Sequence, residues 1–289
     1  MTESRYKIAE IGRTGKRQLV LKAGWDPSIA SIMLSENIRA LSISGYTGWN
    51  ESNLDFLRDL PFLERLSLIV LNKVNIDGIY LLPNLKDLSV GHNRKPIDFT
   101  RFQHLERLSV GWSIGYESLF ECKTLRDVAI ARLPQSHIPY LSRLVNLETL
   151  ALSFCRFVDL HQLPELHKLT RLSLLVCNSL QQLAGVESCS NLLVLWIEQA
   201  KSLGDISAVA ALRNLKTLVL RDCPQIISIR PLVGMEHLEA VAFSATTDIC
   251  DGDLSPLASL PLLRNADFKD RRHYSRRNDE FPKELPIFL

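Results

Sequence analysis

Apolar residues fall at set intervals along this chain. Residues 85–91 read LKDLSVG and residues 105–111 read LERLSVG, so Leu85, Leu88 and Val90 match Leu105, Leu108 and Val110. The same apolar-x-x-apolar-x-apolar pattern starts at Ile38, Leu63, Leu85, Leu105, Leu125, Leu147, Leu169, Leu192, Leu215, Leu238 and, in eroded form, Leu263. These eleven starts lie 20 to 25 residues apart, with 85 to 105 among the closest and 38 to 63 among the widest. In each unit the last two apolar positions alternate with polar or small ones, which predicts a short strand with one buried face. One such strand cannot cover its own leucines, and a similar unit stacked on each side completes the core. The rest of each unit returns the chain over the opposite side on an apolar stripe of spacing near three, as at Leu203, Ile206, Val209 and Leu212. That spacing predicts short helices or 3₁₀ turns. Prolines 61, 83, 164 and 261 stand two or five residues before the next unit and can end the return.

These residues resemble the leucine-rich repeat family, whose pattern is LxxLxLxx(N/C)xL. The resemblance covers residues 38–268 and implies an α/β, right-handed leucine-rich-repeat solenoid, or horseshoe. Its parallel β-sheet would line the concave face, with short helices and 3₁₀ turns on the convex face. In the family the Asn/Cys side chain lies inside the turn and bonds to backbone groups of neighbouring coils. Here that slot holds Asn93, Cys155, Cys177 and Cys223, but also Tyr46, Leu71, Ser113, Leu133, Ala200, Thr246 and Arg271. The units with Leu71 and Leu133 are therefore expected to turn differently from the others.

A solenoid exposes raw core at both ends and needs caps. Residues 1–37 read as an N-terminal cap: alternating runs at Ile8/Ile11 and Leu19/Leu21 flank RTGK as a β-hairpin, and a helix follows over 27–34. GRTGKR does not match a phosphate loop, because only two residues separate Gly12 from Gly15 and an arginine follows the lysine. Residues 269–289 read as a C-terminal cap or tail. Arg264, Lys269, Arg271, Arg272, Arg276 and Arg277 against Asp267 and Asp270 give this end a local charge of +4. A solvated cap is the simpler reading of that run, and contact with an acidic partner or RNA is the alternative.

Composition narrows the function classes. The chain has 289 residues, 34 basic against 32 acidic, for a net charge of +2. No global field pulls it onto nucleic acid or a membrane, and no stretch is long and apolar enough to span one. The first residues lack the apolar core of a secretory signal. Six cysteines show no CxxC spacing, so the expected compartment is cytoplasmic, with reduced thiols. Catalytic and metal signals are weak. His161 and His167 do not share the i,i+4 spacing of a helical zinc pair, and DICDGDLSP over 248–256 lacks the spacing of a calcium loop. No enzyme activity, cofactor or metal is expected.

Two rows of side chains could carry contacts. Arg65, Asp87, Arg107 and Asp127 alternate in sign on successive strands and are expected to pair with one another. His92, Trp112, Arg132 and Phe154 fill one slot just past the strand in four consecutive units. Such an aromatic and arginine row has the composition of a protein-contact hot spot. Either it is exposed for a partner, or Trp112 and Phe154 fold over the edge and pack locally. Trp196, Glu198 and Arg221 continue the candidate surface. The expected function is a non-enzymatic module that binds a protein through the concave face and rim. A chain made of repeats and two caps suggests a neutraliser, such as a bacterial immunity protein that occludes a toxin or effector. A ubiquitin-ligase-type substrate adaptor or an effector receptor domain is the alternative. Small-ligand or RNA binding through the concave charges or the basic C-terminal patch is the alternative of another class.

Overall fold

The structure is a computed structural model that describes residues 5–12, 15–69, 74–91 and 95–284. At its start, β1 (Tyr6–Glu10) and β2 (Arg17–Leu21) pair antiparallel, Tyr6 opposite Leu21 and Glu10 opposite Arg17. Gly12 and Gly15 flank the turn with φ of +55° and +69°, values that a side chain would disfavour. Of the predicted turn, Arg13 and Thr14 lie outside the described residues. Helix α1 (Ser28–Ser35) follows and buries Ile29 and Met33. Asp26 accepts from the Ser28 N–H at 2.9 Å and so caps its first turn.

The chain forms two compact units, Met1–Val128 and Ala129–Leu289. In the first, β2 pairs in parallel with β3 (Ala40–Ser44), and β4 (Arg65–Ile69), β5 (Asp87–Val90) and β6 (Arg107–Gly111) follow in chain order. The unit boundary falls inside β7 (Asp127–Ala131). In the second unit the sheet runs through β8 (Thr149–Ser153), β9 (Arg171–Leu175), β10 (Val194–Glu198), β11 (Thr217–Arg221), β12 (Ala240–Ser244) and β13 (Asn265–Phe268). Strands β3 to β13 are the eleven strands that the leucine spacing predicts.

The register places equivalent leucines side by side. Leu150, Leu172, Leu195 and Leu218 form one line, and Leu152, Leu174, Ile197 and Leu220 the next. All eight are 0% exposed, which places each at the full burial value of about 1.5–3 kcal/mol. The return segments are mostly 3₁₀, for example Asp55–Asp59, Glu117–Glu121 and Ser207–Ala211. A second recurrent slot starts them. Asn53, Asn75, Asp98, Asp159, Asp205 and Asp253 each accept from the N–H two residues on, at 2.7–3.1 Å. Such side chains fix the turn from which the return segment starts.

Each end is closed by aromatic packing. Near the N-terminus Trp25 stacks on Phe56 at 4.5 Å, and the buried Trp49 meets the same ring at 5.2 Å. At the C-terminus Phe243 stacks on Phe268 at 4.5 Å, with Tyr274 and Phe281 on their edges. Residues 282–284 pair back onto β13, Ala266 N–H to Pro282 O at 3.2 Å and Glu284 N–H to Arg264 O at 2.9 Å, which covers an otherwise open strand edge. The basic run is tied into this cap. Arg264 pairs with Glu284 at 3.2 Å, Arg276 with Glu280 at 3.1 Å, and Arg271 Nη2 donates to the Thr247 carbonyl at 2.8 Å.

Candidate functional site

The corners after β7 to β12 have one construction. Arg132, Phe154, Val176, Gln199, Asp222 and Ala245 all take a left-handed φ, between +53° and +61°. The left-handed bend swings the N–H toward the following coil: Arg132 N–H reaches Ser153 O at 2.7 Å, Phe154 reaches Leu175 O at 2.9 Å, Val176 reaches Glu198 O at 2.8 Å and Gln199 reaches Arg221 O at 2.8 Å. Glycine and asparagine tolerate such a φ, whereas a bulky or β-branched side chain is strained by about 1–2 kcal/mol. Phe154 and Val176 are therefore unusual occupants.

Just past each bend lies the Asn/Cys slot, and it forms a buried ladder. Cys177 Sγ lies 3.8 Å from Leu152 O and 3.6 Å from Leu175 O, and Cys223 Sγ lies 3.4 Å from Arg221 O. Burial pushes the Cys223 thiol up to about 12, and Cys155 is pushed up by its hydrogen bond to Cys177 and by burial. Three expectations for this slot need correction. Thr247, not Thr246, fills it: its buried hydroxyl accepts from Cys223 N–H at 3.0 Å and donates to Leu220 O at 2.9 Å. Likewise Thr47, not Tyr46, donates to Leu21 O at 2.8 Å, and Tyr46 is 79% exposed. Each of these corners is one residue longer than the strict repeat. Leu133 does not change the turn: it is buried, and the Arg132 bend has the same φ as those that follow. Leu71 and Asn93 lie outside the described residues.

The rim residues divide into groups. His92 lies outside the described residues. Trp112, in the first unit, is half-buried and its ring lies 5.8 Å from that of the buried Phe120. Arg132 and Phe154 come together in the second unit, where the guanidinium sits 6.0 Å from the centre of a ring that is 52% exposed. They line a cavity of about 700 Å³ with Val176, Arg156, Asn178 and Ser179. Trp196 stands on β10 between Ser173 and Val219, and its Nε1–H donates to Glu198 at 3.3 Å. Glu198 in turn faces Arg221 at 3.9 Å. Sequence reasoning missed Arg156, Asn178 and Val176. The signal was available, because all three stand within two residues of Phe154 or of the cysteine of the next coil.

The charged row of the first unit pairs internally. Asp87, 7% exposed, accepts from Arg65 and Arg107, each at 3.0 Å. That hydrogen bond holds the Arg107 guanidinium above its ordinary value. Among the described residues no three His, Cys, Asp or Glu side chains are grouped to hold a metal ion, and no helix is long and apolar enough to cross a membrane.

No family model matches the chain, and no curated protein matches it in sequence. Solved structures do match in fold. An internalin (inlF) from Listeria monocytogenes is 19% identical with a TM-score of 0.53, over 88% of this chain and 87% of that one. An internalin C2 (inlC2) from the same organism is 24% identical with a TM-score of 0.49, over 64% of this chain and 82% of that one. With its eleven leucine units, its parallel strands in chain order, its 3₁₀ returns and its likeness to the first of these, the chain is a leucine-rich repeat protein in fold.

Proposed function

We propose that this chain is a non-catalytic protein-binding module and that its contact surface is the strand-end rim of the second unit, Arg132 and Phe154 first, with Trp196, Glu198 and Arg221 beside them. One observation carries the reading. Phe154 keeps a large ring, 52% exposed, at a left-handed corner where glycine or asparagine would be less strained. Folding alone does not favour that choice, and a partner that covers the ring would. Arg132 over the same ring and the adjoining cavity give the surface the aromatic and arginine make-up of a binding hot spot. The fold likeness to an internalin supports protein binding only as analogy.

Occlusion of a toxin or effector protein is the form of binding we favour, because a stitched row of corners offers a surface set before the partner arrives. Six free cysteines, five of them buried, suit the cytoplasmic placement. Phe154→Asn combined with Arg132→Ala tests the site. The double variant should keep its melting temperature and lose the protein that co-purifies with the unaltered chain from the native host, identified by mass spectrometry. Equal recovery by both chains refutes the site, and no partner from any growth condition refutes the function.

A further inference from the structure

The first unit holds a cavity of about 620 Å³ at the strand starts, between the hairpin turn and β3 to β6. Its lining is cationic: Lys16, Arg17, Arg39, Arg65, Lys86 and Arg107 face it, against Glu36 and Glu64. Several of these cations meet carboxylates. Arg17 meets Glu36 at 3.0 Å, Lys86 meets Glu64 at 3.5 Å, and the single Asp87 serves both Arg65 and Arg107. The lining itself carries six cations against two carboxylates, and Arg65 and Arg107 share a third, Asp87, between them.

Two donors are not taken up by those pairs. The exposed Arg39 meets no carboxylate among the described residues, and its Nη1 donates to the Phe62 carbonyl at a long 3.4 Å. The buried Arg65 Nε–H has no acceptor among the described residues, and a buried donor without an acceptor is costly. Neighbouring parallel strands lie about 4.8 Å apart, so the cations that β3 to β6 bring to the cavity stand one coil from the next. We infer that this cavity is a binding site for a small anion carrying two or more phosphate groups. The planar guanidinium fork matches phosphate oxygens in pairs, lysine adds a point charge, and the volume is that of a small-molecule site rather than a macromolecular groove. The site is independent of the rim in the second unit, so either can fail without the other.

Calorimetric titration of the full chain with inorganic pyrophosphate and tripolyphosphate at low salt tests this, with citrate as a carboxylate of similar charge. Pyrophosphate and tripolyphosphate should bind, with affinity that falls as salt screens the cavity, and citrate should bind at least tenfold more weakly. Arg39→Gln with Lys86→Gln should weaken pyrophosphate binding about tenfold or more, since one charge-assisted hydrogen bond corresponds to roughly that factor. Glu64→Gln, which frees Lys86, should tighten it and keeps the test open should the double variant misfold. No heat with either phosphate, citrate binding as tight as pyrophosphate, or affinity unmoved in all variants would overturn the assignment.

Discussion

Replacing Thr247 by valine removes one oxygen and leaves the shape of the side chain unchanged. The Thr247 hydroxyl is the acceptor for Cys223 N–H at 3.0 Å and donates to Leu220 O at 2.9 Å, in a site 3% exposed. No water replaces it there, so the Cys223 N–H is left without a partner, at a cost of about 1–3 kcal/mol, and a net hydrogen bond of about 1 kcal/mol is lost with it. The added methyl recovers about 0.8 kcal/mol by burial. The expected loss is about 2 kcal/mol, which for a urea dependence of about 2 kcal/mol per molar lowers the midpoint by roughly 1 M. Urea unfolding followed by tryptophan fluorescence and by far-ultraviolet circular dichroism measures it. Thr246→Val is the control: this neighbour is exposed and its hydroxyl donates to Asp222 at 3.0 Å, so its stability should change by no more than about 0.5 kcal/mol, or roughly 0.25 M in midpoint. A Thr247→Val midpoint equal to that of Thr246→Val would refute the placement of the ladder one residue past the strict repeat.

Three further outcomes follow from the same physics. Asp87→Ala strips two arginines of one shared, nearly buried carboxylate and should destabilise the protein by about 2–3 kcal/mol in thermal or urea melts, discounted because both arginines can turn to water; a loss under about 0.5 kcal/mol would show that the pairs contribute nothing. Native protein should show one thiol reactive toward an aromatic disulfide reagent, the exposed Cys250, and six after unfolding, because burial pushes Cys122 and Cys223 up to about 12 and Cys189 up to about 11; rapid labelling of any buried thiol refutes this. Glu280 is held below its ordinary 4.5 by the Arg277 N–H at 2.7 Å and then by Arg276. Its contribution to the C-terminal cap is therefore complete above 4.5 and is lost as pH falls through its lower folded value; the Arg277 amide shift in an NMR titration should turn over below 4.5, and a midpoint at or above it would contradict the contact.

The repeat itself was legible because burial is periodic. Leucines such as Leu150 and Leu152 must face inward on every coil, and that demand writes the same letters every 20 to 25 residues. The corners were legible only in part. Counting a fixed three residues from the strand finds Cys155, Cys177 and Cys223, but it lands on Thr246 and Tyr46, where an added residue moves the working hydroxyl to Thr247 and Thr47. A length change of one residue leaves no mark in an apolar pattern. The Asx slot at Asn75, Asp159 and Asp205 was present in the letters but falls at varying distances from the strand, so periodicity passes over it. Trp112 and Phe154 share a slot and a chemical class, yet one ring lies beside Phe120 while the other is half exposed. That difference depends on what the return segment places beside the corner. The cation-lined cavity was hidden for another reason: its residues come from five separate segments between Lys16 and Arg107.

The left-handed corners also impose an order in time. The bends at Arg132, Phe154, Val176, Gln199 and Asp222 donate their N–H forward, each to a carbonyl that belongs to the coil after it. As the chain leaves the ribosome, Phe154 has nothing to donate to until Leu175 has been made and laid down, and Val176 waits in the same way for Glu198. Maturation of these corners during synthesis therefore trails elongation by one coil, and the coil that carries Ser244 completes the series.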